Sequence, residues 1–112
     1  MTGVQTCALP ILEAASKNLT RVNLELGGKA PAIVLDDCDL ELTANALFNS
    51  RVLNTGQVCN AAERVYVQRG IADRLAERVT RLMAEAQYGN PLTDGSALHM
   101  GPLMNQIGRA HV

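Results

Sequence analysis

Three short stretches of the chain have the apolar pattern of β-strands. Residues 20–26 carry an apolar side chain at every second position, which predicts a strand with one apolar face. Residues 32–35 are an unbroken apolar run, which predicts a strand buried on both faces. The Val-Tyr-Val core of residues 64–68 predicts a third strand because such residues favour pleated structure.

Apolar residues recur at helical spacing in two longer stretches. Residues 40–49 follow Asp39, which is the expected N-cap of the first helix. Residues 72–87 form the second helix, and Gly89 follows its expected end. The content of residues 12–18 is typical of the end of a further helix. The expected apolar face of the first helix comprises Leu42, Ala46, Leu47 and Val52. The expected face of the second comprises Ile71, Leu75, Val79, Leu82, Met83 and Ala86.

The order of these elements predicts an α/β protein. A helix connects the predicted strands at residues 32–35 and 64–68, so we expect the two strands to lie parallel in one sheet. Residues 92–106 are rich in Gly, Ser, Asp and Pro and are expected to form a loop.

Composition and charge argue against several classes of partner. The net charge of the 112 residues is −1 at pH 7, and no basic run indicates a nucleic-acid partner. No apolar stretch is long enough to span a bilayer. Three cysteines without a CxxC pair argue against a disulfide framework and a zinc site. We therefore expect a cytoplasmic protein with no nucleic-acid, membrane or metal partner.

Cys59 is the candidate nucleophile. It stands in the stretch NTGQVCNAAER, between a glycine-containing turn and a run of small residues. A thiol is a nucleophile when it is accessible and its thiolate is stabilised. Gly56 allows the backbone to turn and to approach a ligand closely. The competing interpretation is a cysteine that only packs in a core.

Glu25 is the candidate general base. It lies between two leucines in the stretch LELGGKAP, which continues into two glycines. An apolar pocket removes water from a carboxylate and makes it a stronger base. The competing interpretation is a solvated carboxylate at the end of a strand.

The stretches LELGGKAP and NTGQVCNAAER resemble the glutamate and cysteine motifs of the aldehyde dehydrogenase superfamily. Cys59 follows Glu25 by 34 positions, which resembles the spacing in that family. The similarity extends from about residue 14 to about residue 105. The stretches GKAPAIVLDDCDLELTANAL and GQVCNAAERVYVQRGIADRL are most similar to the lactaldehyde and glycolaldehyde dehydrogenases of this superfamily.

The resemblance implies NAD- or NADP-dependent oxidation of a small-molecule aldehyde to a carboxylic acid. Cys59 would attack the aldehyde and pass through a thiohemiacetal and a thioester, and its backbone amide would bind the oxyanion. Glu25 would activate the water that hydrolyses the thioester. Leu26, Gly27 and Gly28 would bind the nicotinamide cofactor. The parent enzyme would be a homo-oligomer.

The resemblance also implies that the chain is an internal fragment of the aldehyde dehydrogenase fold. Residues 12–28 would end the cofactor-binding domain, and residues 29–106 would begin the catalytic domain with its parallel sheet. We expect the fragment alone to be inactive. We also expect the apolar faces of the helices beginning near Leu40 and Ala72 to lack partners.

Residues 1–11 and 107–112 are expected to be non-native tails. The ending IGRAHV has a permitted coding whose reverse complement lies within a permitted coding of residues 5–11. An inverted repeat of this kind is typical of translated sequencing-adapter DNA, so both tails are excluded from the fold prediction.

Two other functions stay open at this point. The first is a cysteine hydrolase or acyltransferase without redox chemistry, which is disfavoured because no histidine is placed by the sequence to pair with Cys59. The second is a non-catalytic α/β module that retains the motifs, which predicts an unreactive Cys59 thiol.

Overall fold

The computed structural model describes residues 2–95 and 97–104. In chain order the elements are α1 (Thr2–Ser16), β1 (Ala30–Val34), α2 (Leu40–Val52), a 3-10 turn (Leu53–Gly56), β2 (Ala62–Val67) and α3 (Ala72–Ala84). This order confirms the α/β prediction. The predicted tail at residues 107–112 lies outside the described residues. Residues 2–11 belong to α1, which does not test their origin.

The strands β1 and β2 pair in parallel, as predicted, with Val34 opposite Val67 and Ile33 opposite Tyr66. Side chains alternate between the two faces of a sheet. On one face Val34 is buried, whereas Ile33 on the other face is 75% exposed. The prediction that β1 is buried on both faces is therefore wrong, because the described residues cover only one face of the sheet.

The predicted strand at residues 20–26 is wrong. These residues have no regular secondary structure and pair with no strand in the described part of the chain. Its alternating side chains Val22, Leu24 and Leu26 are all exposed. A strand is stable only when a neighbour satisfies its backbone hydrogen bonds, and periodicity alone does not supply one.

Helix α2 begins as predicted. The side chain of Asp39 accepts a hydrogen bond of 2.9 Å from the backbone amide of Leu42 and so satisfies one of the unpaired amides of the first turn. Glu41 in that turn places negative charge near the positive end of the helix dipole. The helix extends to Val52, past the predicted end.

The predicted apolar face of α2 is only partly correct. Leu42 is 70% exposed, whereas Ala44, Phe48 and Val52 are buried. These three residues are spaced by four positions and therefore lie on one side of the helix. The sequence of α2 allows several apolar faces, and the elements that α2 packs against determine which of them is buried.

Helix α3 supplies the rest of the small core. Ile71 and Leu75 are buried against Val34 and Ala44, and α3 packs along α2. The expectation that the apolar faces of these helices lack partners is therefore wrong where the two helices meet. The helix ends at Ala84, before the predicted end. Within residues 2–95 and 97–104, no helix is both long and apolar enough to span a bilayer.

Candidate active site

Cys59 lies in a β-turn between α2 and β2. The turn is closed by a 3.1 Å hydrogen bond from the amide of Ala61 to the carbonyl of Val58. Ala61 is 3% exposed and anchors the turn to the core, whereas Cys59 is exposed. In the described part of the chain the backbone amide of Cys59 donates no hydrogen bond. The thiol therefore meets the requirement of access, and its amide is available to an oxyanion.

The loop before Cys59 has an unusual backbone. Asn54, Thr55 and Gly56 have φ values of +48°, +58° and +74°. The left-handed conformation is natural for glycine but costs about 1–2 kcal/mol for other residues, and it is least favourable for a β-branched residue such as threonine. Such strain persists only where surrounding interactions fix the backbone.

Hydrogen bonds fix this loop in two ways. Within the loop, the amide side chain of Asn54 donates to the carbonyl of Gln57 (3.2 Å), and the side chain of Gln57 donates back to the carbonyl of Asn54 (3.0 Å). Outside it, the hydroxyl of Thr55 donates to the carbonyl of Gly101 (3.0 Å). The side-chain oxygen of Gln57 accepts from the amide of Met104 (2.9 Å).

The guanidinium of Arg51 packs against the loop at Gly56. A Cβ atom on Gly56 would lie 2.9 Å from Cζ of Arg51, so the absence of a side chain at position 56 provides space as well as conformational freedom. Nη1 of Arg51 lies 3.8 Å from Oε1 of Glu63 and has no hydrogen-bond partner among the described residues. The Arg51–Glu63 interaction is therefore an ion pair longer than a hydrogen bond.

The glutamate motif meets the cysteine motif through its glycines. A Cβ atom on Gly28 would lie 2.7 Å from the carbonyl oxygen of Cys59, which means that the two backbones are in direct contact. Gly27 has a φ of +78°, and no atom of the described residues lies within 4 Å of the position of a Cβ there. The chain thus turns at Gly27 and passes against Cys59 at Gly28.

Lys29, the residue after Gly28, is bound by charged side chains of β2. Nζ of Lys29 lies 2.5 Å from Oε2 of Glu63. Nη2 of Arg64 donates a 2.8 Å hydrogen bond to the carbonyl of Lys29. The segment after the glutamate motif is therefore attached to the strand that follows Cys59.

Glu25 lies in the segment between α1 and β1 and is exposed. It precedes Gly28 by three residues, so its Cα lies no more than about 11 Å from that of Gly28. Its side chain makes no hydrogen bond or ion pair with any described residue. The apolar pocket expected around it is not formed by the described residues, because Leu24 and Leu26 are 39% and 50% exposed. Its role as a base stays a prediction.

Several residues of this site were not predicted from the sequence. Arg51, Thr55 and Glu63 were not singled out, although a charged residue on the core side of α2, as Arg51 is, indicates a specific partner. His99 is exposed, and its Nδ1 accepts a 3.0 Å hydrogen bond from the amide of Gln87. No group of three or more potential metal ligands occurs among the described residues.

An apolar groove lies beside this site but does not contain it. Its volume is about 300 Å³, and it lies between α2, β2 and α3. Arg51 reaches its wall, whereas Cys59 and Glu25 do not line it. The candidate site is therefore the surface around the Cys59 turn rather than this apolar groove.

Comparison with known proteins gives one consistent family. The profile of the aldehyde dehydrogenase family matches residues 1–112. Lactaldehyde dehydrogenase of Escherichia coli (strain K12) is 54% identical over 105 residues, which are 94% of this chain and 22% of that protein. Its crystal structure superimposes with a TM-score of 0.81 over 89% of this chain and 21% of that chain.

Two further relatives differ in the cofactor that their names contain. An NADP(+) succinate-semialdehyde dehydrogenase of Escherichia coli (strain K12) is 37% identical over 111 residues, covering 99% of this chain and 23% of that protein. The crystal structure of betaine aldehyde dehydrogenase from Staphylococcus aureus in complex with NAD+ is 33% identical, with a TM-score of 0.81 over 96% of this chain and 21% of that chain. The chain thus spans about a fifth of the length of the relatives that it matches.

Proposed function

This chain belongs to the aldehyde dehydrogenase family, and we propose that it supplies the nucleophile and the general base of an enzyme that oxidises an aldehyde to a carboxylic acid. Cys59 is the nucleophile and Glu25 is the base. The observation that carries this proposal is the contact of Gly28 with the carbonyl oxygen of Cys59, because it brings the glutamate motif to the cysteine turn.

The first step belongs to Cys59. Its thiolate attacks the carbonyl carbon of the aldehyde, so that a C–S bond forms while the C=O π-bond becomes an oxyanion. The free backbone amide of Cys59 donates a hydrogen bond to that oxyanion. The exposed position of the thiol in the turn gives the aldehyde access without displacement of a packed side chain.

Leu26, Gly27 and Gly28 are proposed to bind the nicotinamide. The open space beside Gly27 fits a planar ring close to the backbone, since no atom of the described residues occupies it. Bound there, NAD or NADP would supply the hydride acceptor for the adduct on Cys59, and Cys59 would then carry a thioester.

Glu25 completes the cycle. Its carboxylate takes a proton from water as the water oxygen attacks the thioester carbon. The C–S bond then breaks, which releases the carboxylic acid and returns the thiolate of Cys59. Glu25 precedes Gly28 by three residues, and Gly28 contacts the cysteine turn. The exposed segment can therefore bring Glu25 to that turn.

We further propose a small aldehyde as the substrate and a cytoplasmic homo-oligomer as the parent enzyme. The similarity to lactaldehyde dehydrogenase supports lactaldehyde as the first substrate to test. One relative is named for NADP(+) and another was crystallised with NAD+, so both cofactors need to be tested. We propose that the chain alone does not oxidise aldehydes, since it spans about a fifth of its relatives.

A chimera tests the function. The segment of Escherichia coli lactaldehyde dehydrogenase that matches this chain is replaced by the chain, and reduction of NAD+ or NADP+ by lactaldehyde is followed by absorbance. We expect activity, and a loss of about a thousandfold or more in Cys59→Ser. Cys38→Ala is the matched control and should retain activity. A folded chimera that reduces neither cofactor, or that only hydrolyses esters, would contradict the proposal.

His99 gives no support to the hydrolase interpretation. Its Nδ1 accepts the amide proton of Gln87, and its ring lies edge-on to that of Phe48, with ring centroids 5.5 Å apart. A hydrolase that uses Cys59 would need an imidazole directed at the thiol. No pairing between a histidine and Cys59 occurs within residues 2–95 and 97–104.

A further inference from the structure

Residues 99–104 form a short segment, here called the strap, whose first part is fixed to the segment that follows α3. The amides of His99 and Met100 donate to the carbonyl of Gln87 at 2.9 and 3.1 Å. The amide of Gln87 donates in return to Nδ1 of His99 at 3.0 Å. The His99 ring lies edge-on to the buried ring of Phe48. This end of the strap is therefore a fixed point of the fold.

The second part of the strap binds the loop that precedes Cys59. The carbonyl of Gly101 accepts the hydroxyl proton of Thr55, with an oxygen–oxygen distance of 3.0 Å. The amide of Met104 donates to the side-chain oxygen of Gln57 at 2.9 Å. These contacts connect residues 46 and 47 positions apart in the chain, so local sequence preference does not create them.

The loop needs external support because Thr55 opposes its conformation. Asn54 and Thr55 both have positive φ; asparagine tolerates that region, but threonine is among the residues least suited to it. The mutual hydrogen bonds of Asn54 and Gln57 close the loop, but neither of them involves Thr55. The hydrogen bond from the Thr55 hydroxyl to the strap stabilises the left-handed backbone at Thr55.

We infer that the strap positions the Cys59 turn, and that Thr55 and Gln57 are the positioning residues through which it acts. The inference rests on the proposed function only in identifying Cys59 as the group that is positioned. The contacts themselves do not depend on the chemistry of the thiol. A catalytic thiol must be held to within about an ångström, because a misplacement of that size costs up to about a hundredfold in rate.

Amide hydrogen exchange on the whole chain tests the contacts directly. The reporters are the amides of Gln57 and Met104, which bond to Asn54 and to the Gln57 side chain. Thr55→Val keeps the shape but removes the hydroxyl, and we expect both amides to exchange about two- to tenfold faster, the effect of one average hydrogen bond. Thr55→Ser keeps the hydroxyl and should exchange like the unsubstituted chain.

A matched control uses another threonine hydroxyl. The hydroxyl of Thr93 donates to Asp94 and to the carbonyl of Asn90, and makes no hydrogen bond with residues 54–59. Thr93→Val should leave the exchange of the Gln57 and Met104 amides unchanged. Gln57→Leu is a second variant that removes the other contact, and it should release the Met104 amide even if Thr55→Val fails to fold.

Alkylation by iodoacetamide tests the effect on the thiol itself. Tryptic peptides 30–51 and 52–64 separate Cys38 from Cys59, so both rates come from one digest. In Thr55→Val we expect the rate at Cys59 to rise about two- to tenfold, because a released loop exposes the thiol in more conformations. Cys38 packs against the core and should keep its rate, with Thr55→Ser restoring the original rate at Cys59.

Three results would overturn the inference. Random-coil exchange of Gln57 and Met104 in the unsubstituted chain would mean that the strap does not hold the loop. Equal effects of Thr55→Val and Thr55→Ser would mean that the hydroxyl does not matter. Faster reaction of Cys38 together with Cys59 would mean a general loss of stability. None of these results concerns aldehyde oxidation, so failure of this inference is distinguishable from failure of the proposed function.

Discussion

Gly28 and Cys59 are in direct backbone contact: a Cβ atom placed on Gly28 would lie 2.7 Å from the carbonyl oxygen of Cys59. Such a distance is shorter than any carbon–oxygen van der Waals contact, so only glycine fits without movement of the backbone. This one contact joins two motifs that are far apart in the sequence. It also explains why two glycines follow Glu25: one allows the turn, and the other allows the approach.

Gly28→Ala tests that contact. We expect the added methyl group to displace the cysteine turn and to lower kcat/KM of the chimera by about tenfold or more. Gly95→Ala is the control: unlike Gly28, Gly95 has a positive φ (+84°), and no described atom lies within 4 Å of a Cβ there. It therefore carries a conformational cost but no collision. Equal activity of the two variants would mean that the contact is unimportant.

Glu25→Gln tests the division of roles between the thiol and the base. The substitution removes the group proposed to activate water, while Cys59 still forms the thioester. We expect a first turnover of reduced cofactor at nearly the original rate, followed by steady-state turnover that is slower by about a hundredfold or more. Rapid-mixing absorbance separates the two phases. If the first turnover slows as much as the steady state, Glu25 acts earlier than proposed.

Asp39→Ala tests the N-cap of α2. The hydrogen bond from the Leu42 amide to the Asp39 carboxylate is lost, and we expect the free energy of unfolding to fall by about 1 kcal/mol. Denaturant titration of the chain measures the change. Asp37→Ala removes the same charge near the same helix end, but Asp37 makes no hydrogen bond with a described residue. A similar loss in both variants would assign the effect to charge rather than to capping.

Asp94 gives a prediction for pH dependence. The backbone amide of Asn90 and the hydroxyl of Thr93 donate to its carboxylate, and these bonds hold the pKa of Asp94 below its ordinary value. A carboxyl with a lower pKa in the folded state stabilises the fold above the ordinary pKa. That contribution is lost as the pH falls through the folded-state pKa.

Carbon-detected NMR titration of the Asp94 carboxyl measures this pKa in the folded chain. Thr93→Val removes one donor, so the pKa of Asp94 should rise toward its ordinary value. Asp94→Asn should remove the corresponding acid-dependent part of the unfolding free energy. A pKa of Asp94 above its ordinary value, or one that Thr93→Val does not change, would contradict this account.

The elements that depend only on neighbouring residues could be predicted from the sequence. The N-cap at Asp39, the start of α3 and the strand around Val65 follow from local hydrogen bonding and side-chain shape. Family membership was also predictable, because two motifs at a characteristic spacing identify it. Cys59 and Glu25 were found in this way, and their chemical roles stay predictions.

Which surfaces and segments meet could not be predicted from local sequence and depends on the folded chain. The alternation of residues 20–26 predicts a strand, but a strand needs a partner, and none of the described residues provides one. The buried side of α2 was set by α3 and the sheet. The contacts of Gly28 with Cys59 and of Thr55 with Gly101 join distant positions. Local propensity acts over a few residues, whereas packing and long-range hydrogen bonds depend on the path of the whole chain.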